Sequence, residues 1–104
     1  MNDALTRQLQ IDFPKLYRGL AMSPQESSLC WGLECGDGWY PLIRQLSERL
    51  TTYQQQCPEL DLQITQIKSK FGYLRMHSRG GDTTTREMIA GACEQASLTA
   101  EHPG

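Results

Sequence analysis

The longest run of regularly spaced apolar residues lies in the middle of the chain and predicts an amphipathic helix. From Trp39 onward, apolar residues recur every three or four positions, which places them on one helix face. They are Trp39, Leu42, Ile43, Leu46, Leu50 and Tyr53. Asp37 is the expected N-cap, and Pro41 falls in the first turn, where its missing N–H is tolerated. Pro58 disfavours helical geometry in the residue before it, so we expect the helix to end near Gln55.

After this helix the apolar period changes from that of a helix to that of a strand. Apolar and polar residues alternate over 62–65 and again over 73–77, and a turn at 68–72 lies between them. This pattern predicts an antiparallel β-hairpin. Because Ile67 is out of phase with the first strand, we expect a β-bulge near Gln66. A lone hairpin is marginal in water, so this one must pack on the helices or gain a third strand.

Weaker helical patterns are found near both ends of the chain. The segment Ala4–Phe13 is weakly helical, with Asn2 or Asp3 as its cap. Near the other end, Thr84 and Glu87 have the spacing of a capping box that opens a last helix. We therefore expect three helices around the hairpin.

The segment between the first two helices has no clear period. Residues 19–29 are rich in turn formers and predict a loop. After them, Trp31 and Leu33 alternate with polar residues, which predicts either a short strand or an irregular plug over the core.

Together these elements predict a single small α+β domain over residues 1–104, with helices packed on an antiparallel β-hairpin or small sheet. The expected order is α-α-β-β-α. Residues 1–12 and 99–104 are expected to be more loosely ordered. The predicted core consists of Trp31, Trp39, Leu42, Ile43, Leu46, Leu50, Ile64, Leu74, Met76, Ile89 and Ala92.

Composition restricts the environment and the partners. The net charge of −2 does not by itself predict a nucleic-acid or membrane partner. No apolar run approaches the ~18 residues of a membrane helix, and the first residues lack the apolar region of a signal peptide. We therefore expect a cytoplasmic protein with no membrane partner. In that reducing compartment, the four cysteines are expected to be free thiols.

Candidate catalytic chemistry is weak. Cys30 and Cys35 lack the tight Cys-x-x-Cys spacing typical of structural zinc. Cys35 precedes a predicted helix, but Glu34 and Asp37 flank it and oppose a thiolate. These two carboxylates are also candidates for a general base, although a helix cap and a solvated side chain explain them as well. We expect no catalytic residue, cofactor or metal site, and keep a small enzyme with a site near Glu34–Asp37 as an alternative.

The charge pattern is more informative. Between Gln63 and Ala90 there are five basic and two acidic residues, so this window carries about +3 and the rest of the chain about −5. Aromatic residues and a histidine interleave with these cations in the hairpin 66–79. Such a hairpin can contact phosphates and stack on bases, can contact an acidic protein, or can be an ordinary solvated face with guarded edges. The candidate binding surface is Lys68, Lys70, Phe71, Tyr73, Arg75, His77 and Arg79.

Three segments together suggest a family. They are Phe13–Tyr17, the run Cys30–Tyr40 with its Cys-Gly-Asp-Gly-Trp motif, and Gln66–Arg75. Their order resembles a family of small uncharacterised proteins encoded in bacteriophages and prophages. Proteins of that family often end in a Cys-x-x-Cys-Gly-like segment, whereas the corresponding tail here is Ala100–Gly104, without a cysteine pair.

The resemblance implies a phage accessory protein made inside an infected bacterium. Such a protein is expected to act by non-catalytic binding to a host protein, as an inhibitor of a bacterial defence system. An acidic surface can block the basic groove of a host factor that handles nucleic acid. The candidate acidic surface is Glu34, Glu48, Glu59 and Asp61. Nucleic-acid binding by the hairpin is the alternative, and the oligomeric state stays open.

Overall fold

The computed structural model describes residues 1–99, which form three α-helices and one β-hairpin. Helix α1 spans Asp3–Asp12, α2 spans Tyr40–Gln56 and α3 spans Thr83–Ala96. Strand β1, Gln63–Lys70, pairs antiparallel with strand β2, Tyr73–Arg79. The predicted α+β class and the order α-α-β-β-α are therefore confirmed. In this part of the chain, no helix is long and apolar enough to span a membrane.

Helix α2 has the predicted apolar face, but it begins differently. A 3₁₀ turn, Asp37–Trp39, precedes it, so Trp39 rather than Asp37 occupies the cap position. The Asp37 carboxylate instead accepts hydrogen bonds from the backbone N and the side-chain Nδ2 of Asn2, at 2.8 and 2.9 Å. The predicted cap role of Asp37 is therefore wrong, because its carboxylate ties α1 to the start of α2. The helix ends at Gln56, one residue beyond the expected end.

The other two helices have side-chain caps. Asn2 caps α1 as predicted, since its side chain accepts from the backbone N of Leu5. Helix α3 begins with a capping box between Asp82 and Thr85, not between Thr84 and Glu87. A Cβ at Gly81 would lie 2.2 Å from the Thr85 hydroxyl. Glycine at that position therefore lets the Asp82 box close one turn ahead of the predicted one.

The hairpin contains the predicted bulge and a very short turn. The register shifts between Ile64 and Gln66, which places the bulge at Thr65. Phe71 and Gly72 form the turn, with φ angles of 55° and 80°. Positive φ at both positions is what a two-residue type I′ turn requires, and its twist matches that of the strands.

The outer edge of β1 is partly covered. Glu34 forms an isolated parallel bridge with Lys68. The Glu34 backbone N donates to the oxygen of Ile67 at 3.0 Å, and the Ser69 backbone N donates to the oxygen of Glu34 at 2.9 Å. The expected third strand is therefore reduced to this single bridge.

Most of the predicted core is confirmed. Seven of the predicted residues are buried, and three more pack against them at the core boundary. Trp31 is the exception, because 70% of its surface is exposed. It lies in the 3₁₀ turn Ser28–Trp31, where Leu29 is buried. With three residues per turn, a side chain two positions after Leu29 points in a different direction.

The region before Gly36 adds core residues that the sequence pattern missed. They are Leu9, Phe13, Leu16, Tyr17, Leu29, Leu33 and Cys35. Tyr17 is fully buried, and its hydroxyl lies 2.6 Å from Ser47 Oγ. Ser47 Oγ already donates to the Ile43 oxygen, so Tyr17 donates to Ser47. Burial raises the pKa of Tyr17 well above its ordinary value.

The expectation of looser order at the two ends stays a prediction. Residues 3–12 form α1, and the amino group of Met1 donates to the backbone oxygens of Leu33 and Cys35. The tail Ala100–Gly104, where the related family has its cysteine pair, lies outside the described residues.

Candidate functional site

The strand register collects the predicted basic and aromatic side chains on one face of the hairpin. Directly opposite residues are Lys70 and Tyr73, Lys68 and Arg75, Gln66 and His77, and Gln63 and Arg79. Opposite residues share a face, and so do alternate residues along a strand. We call this set the basic hairpin face: Lys68, Lys70, Tyr73, Arg75, His77 and Arg79, together with Phe71 at the turn.

The opposite side of the hairpin explains why this face is turned to solvent. Ile67 and Leu74 are buried, and Met76 packs at the core boundary. Helix α3 contacts β2. Because side chains alternate strictly along a strand, burial of these apolar residues directs their neighbours outward. The core therefore determines which residues the basic hairpin face presents.

The cations of the face lack carboxylate neighbours. Within residues 1–99, no carboxylate oxygen lies within 4.0 Å of Lys68, Lys70 or Arg75, whereas Arg44 and Arg18 each have such a partner. Lys70 and Arg75 are exposed and Lys68 is half-buried. Their charges are therefore not neutralised within the described fold.

Two aromatic rings stand beside these cations. Phe71 is 88% exposed and Tyr73 is 57% exposed. The Lys70 Nζ lies 5.9 Å from the centre of the Phe71 ring. Large apolar side chains are normally withdrawn from water, so an exposed pair next to cations is typical of a binding surface.

The far end of the face borders a loop. Residues 24–28 and the strands enclose an open cavity of about 310 Å³, whose lining includes Gln66, His77 and Arg79. The Arg79 guanidinium donates to the backbone oxygen of Glu26 at 3.5 Å. This contact positions Arg79 while its charge stays without a carboxylate partner in the described part of the chain.

The four candidate acidic residues fall on different segments. Glu34 lies at the β1 edge beside Lys68, so it borders the basic hairpin face. Glu48 lies in α2, with an oxygen 3.6 Å from Arg44 Nε. Asp61 lies 3.1 Å from an Arg18 nitrogen, and Glu59 is exposed just before it. Arg18 and Arg44 therefore already offset two of the four charges.

The segment Glu34–Asp37 serves the fold rather than forming a visible catalytic group. The Asp37 carboxylate accepts from Asn2, and Cys35 is buried. The backbone of Glu34 bridges to β1, while its side chain is exposed. The enzyme alternative stays a prediction without further support from these contacts.

All four cysteines are free thiols. Cys35 is buried and the others are half-buried. Burial raises the pKa of the Cys93 thiol, which favours its neutral form. Within residues 1–99, no group of three or more histidine, cysteine or acidic side chains is arranged to hold a metal ion.

Comparisons with protein-family models, with curated proteins and with solved structures find no match for this chain. The resemblance to bacteriophage and prophage proteins therefore stays a prediction. What the chain binds is inferred below from the geometry of the basic hairpin face.

Proposed function

We propose that this chain is a non-catalytic protein that binds nucleic acid through the basic hairpin face. The observation that supports this most is the cross-strand register, which aligns Lys68, Lys70, Arg75 and Arg79 on one face. A two-stranded ribbon holds these cations in fixed positions, so they can contact successive phosphates. Phosphate contacts supply most of the affinity in sequence-independent nucleic-acid binding.

The aromatic residues favour nucleic acid over a purely solvated face. Cations on a strand are sufficiently explained by the need to keep a sheet edge from aggregating. That need does not explain the exposed Phe71 and Tyr73, whose apolar surface works against solubility. Aromatic side chains stack on bases, and they do so in many proteins that bind single strands.

The negative net charge of the chain does not oppose this proposal. Its acidic residues are mostly elsewhere, and Asp12, Glu48 and Asp61 have cationic neighbours. At physiological salt, charges are screened over about 8 Å. The local cations of the face therefore dominate the potential that a phosphate experiences there.

The test measures binding to labelled oligonucleotides by fluorescence anisotropy over a series of salt concentrations. In the variant Lys68→Gln/Arg75→Gln, we expect roughly tenfold weaker binding at low salt and a salt dependence reduced by about two phosphate contacts. The matched control is Arg7→Gln/Arg49→Gln, which removes the same charge from exposed positions in α1 and α2.

The two variants separate a specific face from an effect of net charge. Full binding by the control and weak binding by the hairpin variant would support the proposal. Equal losses in both variants would contradict it, as would the absence of any binding by the unmodified protein at low salt.

Inhibition of a host protein through the acidic residues stays a prediction. Two of its four residues, Glu48 and Asp61, have arginine neighbours, and Glu34 borders cations instead of acids. Exposed ion pairs of this kind are weak and salt-sensitive, so they reduce the charge available to a basic partner without removing it.

A further inference from the structure

The turn of the hairpin contains a residue that its backbone conformation does not favour. Phe71 has a φ of 55°, in the left-handed region. Glycine, asparagine and aspartate tolerate this region, whereas a bulky side chain is an outlier there. Type I′ turns accordingly favour Asn-Gly, and here Phe-Gly takes that place. The strand connection would form more readily with a smaller polar residue at position 71.

Packing does not compensate for this conformation. The Phe71 side chain is 88% exposed, so it contributes little apolar burial to the fold. The residue is therefore unfavourable both in its backbone and in its exposure to water. Strained conformations of this kind concentrate at binding sites, which makes Phe71 a candidate for contact with a ligand.

The surroundings of Phe71 indicate what that ligand is. Lys70 and Tyr73 are directly opposite each other and immediately flank the turn. The Lys70 ammonium lies 5.9 Å from the Phe71 ring centre. An exposed ring next to a cation and a second ring matches the chemistry of one nucleotide, with a base to stack and a phosphate to pair.

The exposed position at the tip selects between paired and unpaired bases. In a duplex the faces of the bases are covered by their neighbours in the stack. Single strands and loops offer base faces to aromatic side chains. We propose, building on the nucleic-acid binding proposed above, that Phe71 stacks on an unpaired base and makes single strands the preferred ligand.

The test pairs a stability measurement with a binding measurement. Phe71→Asn suits the turn, so its urea unfolding midpoint should equal or exceed that of the unmodified protein. Its affinity for a single-stranded oligonucleotide should fall by about 5- to 150-fold, the range reported by removing one stacking ring. Its affinity for a duplex of the same sequence should change by less than about threefold, because phosphate contacts supply most of that binding.

Phe71→Trp provides the matched control and a direct signal of stacking. It should keep single-strand affinity within about threefold, because indole also stacks. Its fluorescence should be quenched on binding, after subtraction of the signal of the unmodified protein, which contains Trp31 and Trp39. This readout does not depend on the stability of Phe71→Asn.

The outcomes distinguish this inference from the proposed function. If Lys68→Gln/Arg75→Gln weakens binding but Phe71→Asn does not, the stacking inference is overturned and the nucleic-acid interface stands. The inference is also overturned if the added tryptophan is not quenched, or if Phe71→Asn weakens duplex and single-strand binding equally. If the charge variant has no effect on binding, the proposed function fails.

Discussion

The region around α1 and α2 and the basic hairpin face treat charged side chains in opposite ways. In the helical region, Arg44 lies 2.7 Å from an Asp12 oxygen and 3.6 Å from a Glu48 oxygen. Its guanidinium also lies over the Phe13 ring, 5.4 Å from the ring centre. Hydrogen bonds from Gln8 and then from Arg44 hold the pKa of Asp12 below its ordinary value.

On the basic hairpin face, cations and aromatic rings have no such partners. Lys68, Lys70 and Arg75 lack a carboxylate within 4.0 Å among residues 1–99, and Phe71 and Tyr73 are exposed. The helical region therefore uses its polar groups for internal contacts. The face leaves its groups available, and this difference is why we locate binding there and stability elsewhere.

The two tryptophans should show the largest difference. Trp39 is fully buried and its Nε1 donates to the backbone oxygen of Thr99 at 2.9 Å, whereas Trp31 is 70% exposed. We expect Trp39→Ala to lower the free energy of unfolding by about 3–5 kcal/mol. Trp31→Ala should change it by less than about 0.5 kcal/mol. Urea unfolding followed by circular dichroism measures both, and similar losses would contradict the burial difference.

A tyrosine pair should show an intermediate difference. Tyr17→Phe removes the donor to Ser47 Oγ inside the core. We expect a loss of about 1–2 kcal/mol in the free energy of unfolding, because a buried acceptor is left without its partner. The control Tyr73→Phe removes a hydroxyl from the exposed face and should leave stability nearly unchanged. Equal stabilities for the two variants would argue against the buried hydrogen bond.

The smallest effect concerns acid pH. The pKa of Asp12 is lowered below 3.8, so the folded chain takes up this proton less readily than the unfolded chain. The ion pair with Arg44 stabilises the fold at neutral pH, and this contribution is lost as the pH falls through the lowered pKa. Asp12→Asn should therefore flatten the decline of the melting temperature below about pH 4.

The control for this pH dependence is Glu59→Gln, which removes a carboxylate from an exposed residue outside the helices. Its melting temperature should fall in acid as steeply as that of the unmodified protein. A flattened curve for Glu59→Gln, or an unchanged one for Asp12→Asn, would show that the Arg44 pair does not contribute.

Regular spacing in the sequence was enough to locate α2 and the hairpin. The apolar period of α2 and the alternation along β1 and β2 are local properties, and even the bulge near Gln66 followed from one residue out of phase. The same alternation allowed the residues of the basic hairpin face to be selected before their register was known. Their separation from carboxylates was not visible in the sequence, because it depends on contacts between distant segments.

By itself the sequence determined the elements, their order and the chemistry available on the hairpin, because helical and strand periods are read from neighbouring residues. Tertiary structure alone decided the rest. Tyr17 and Leu29 enter the core from an irregular backbone that has no period, and Trp31 does not enter it. Asp37 is a good local cap, but Asn2 from α1 binds its carboxylate. Where several local partners are equally good, contacts between distant segments decide which one the fold uses.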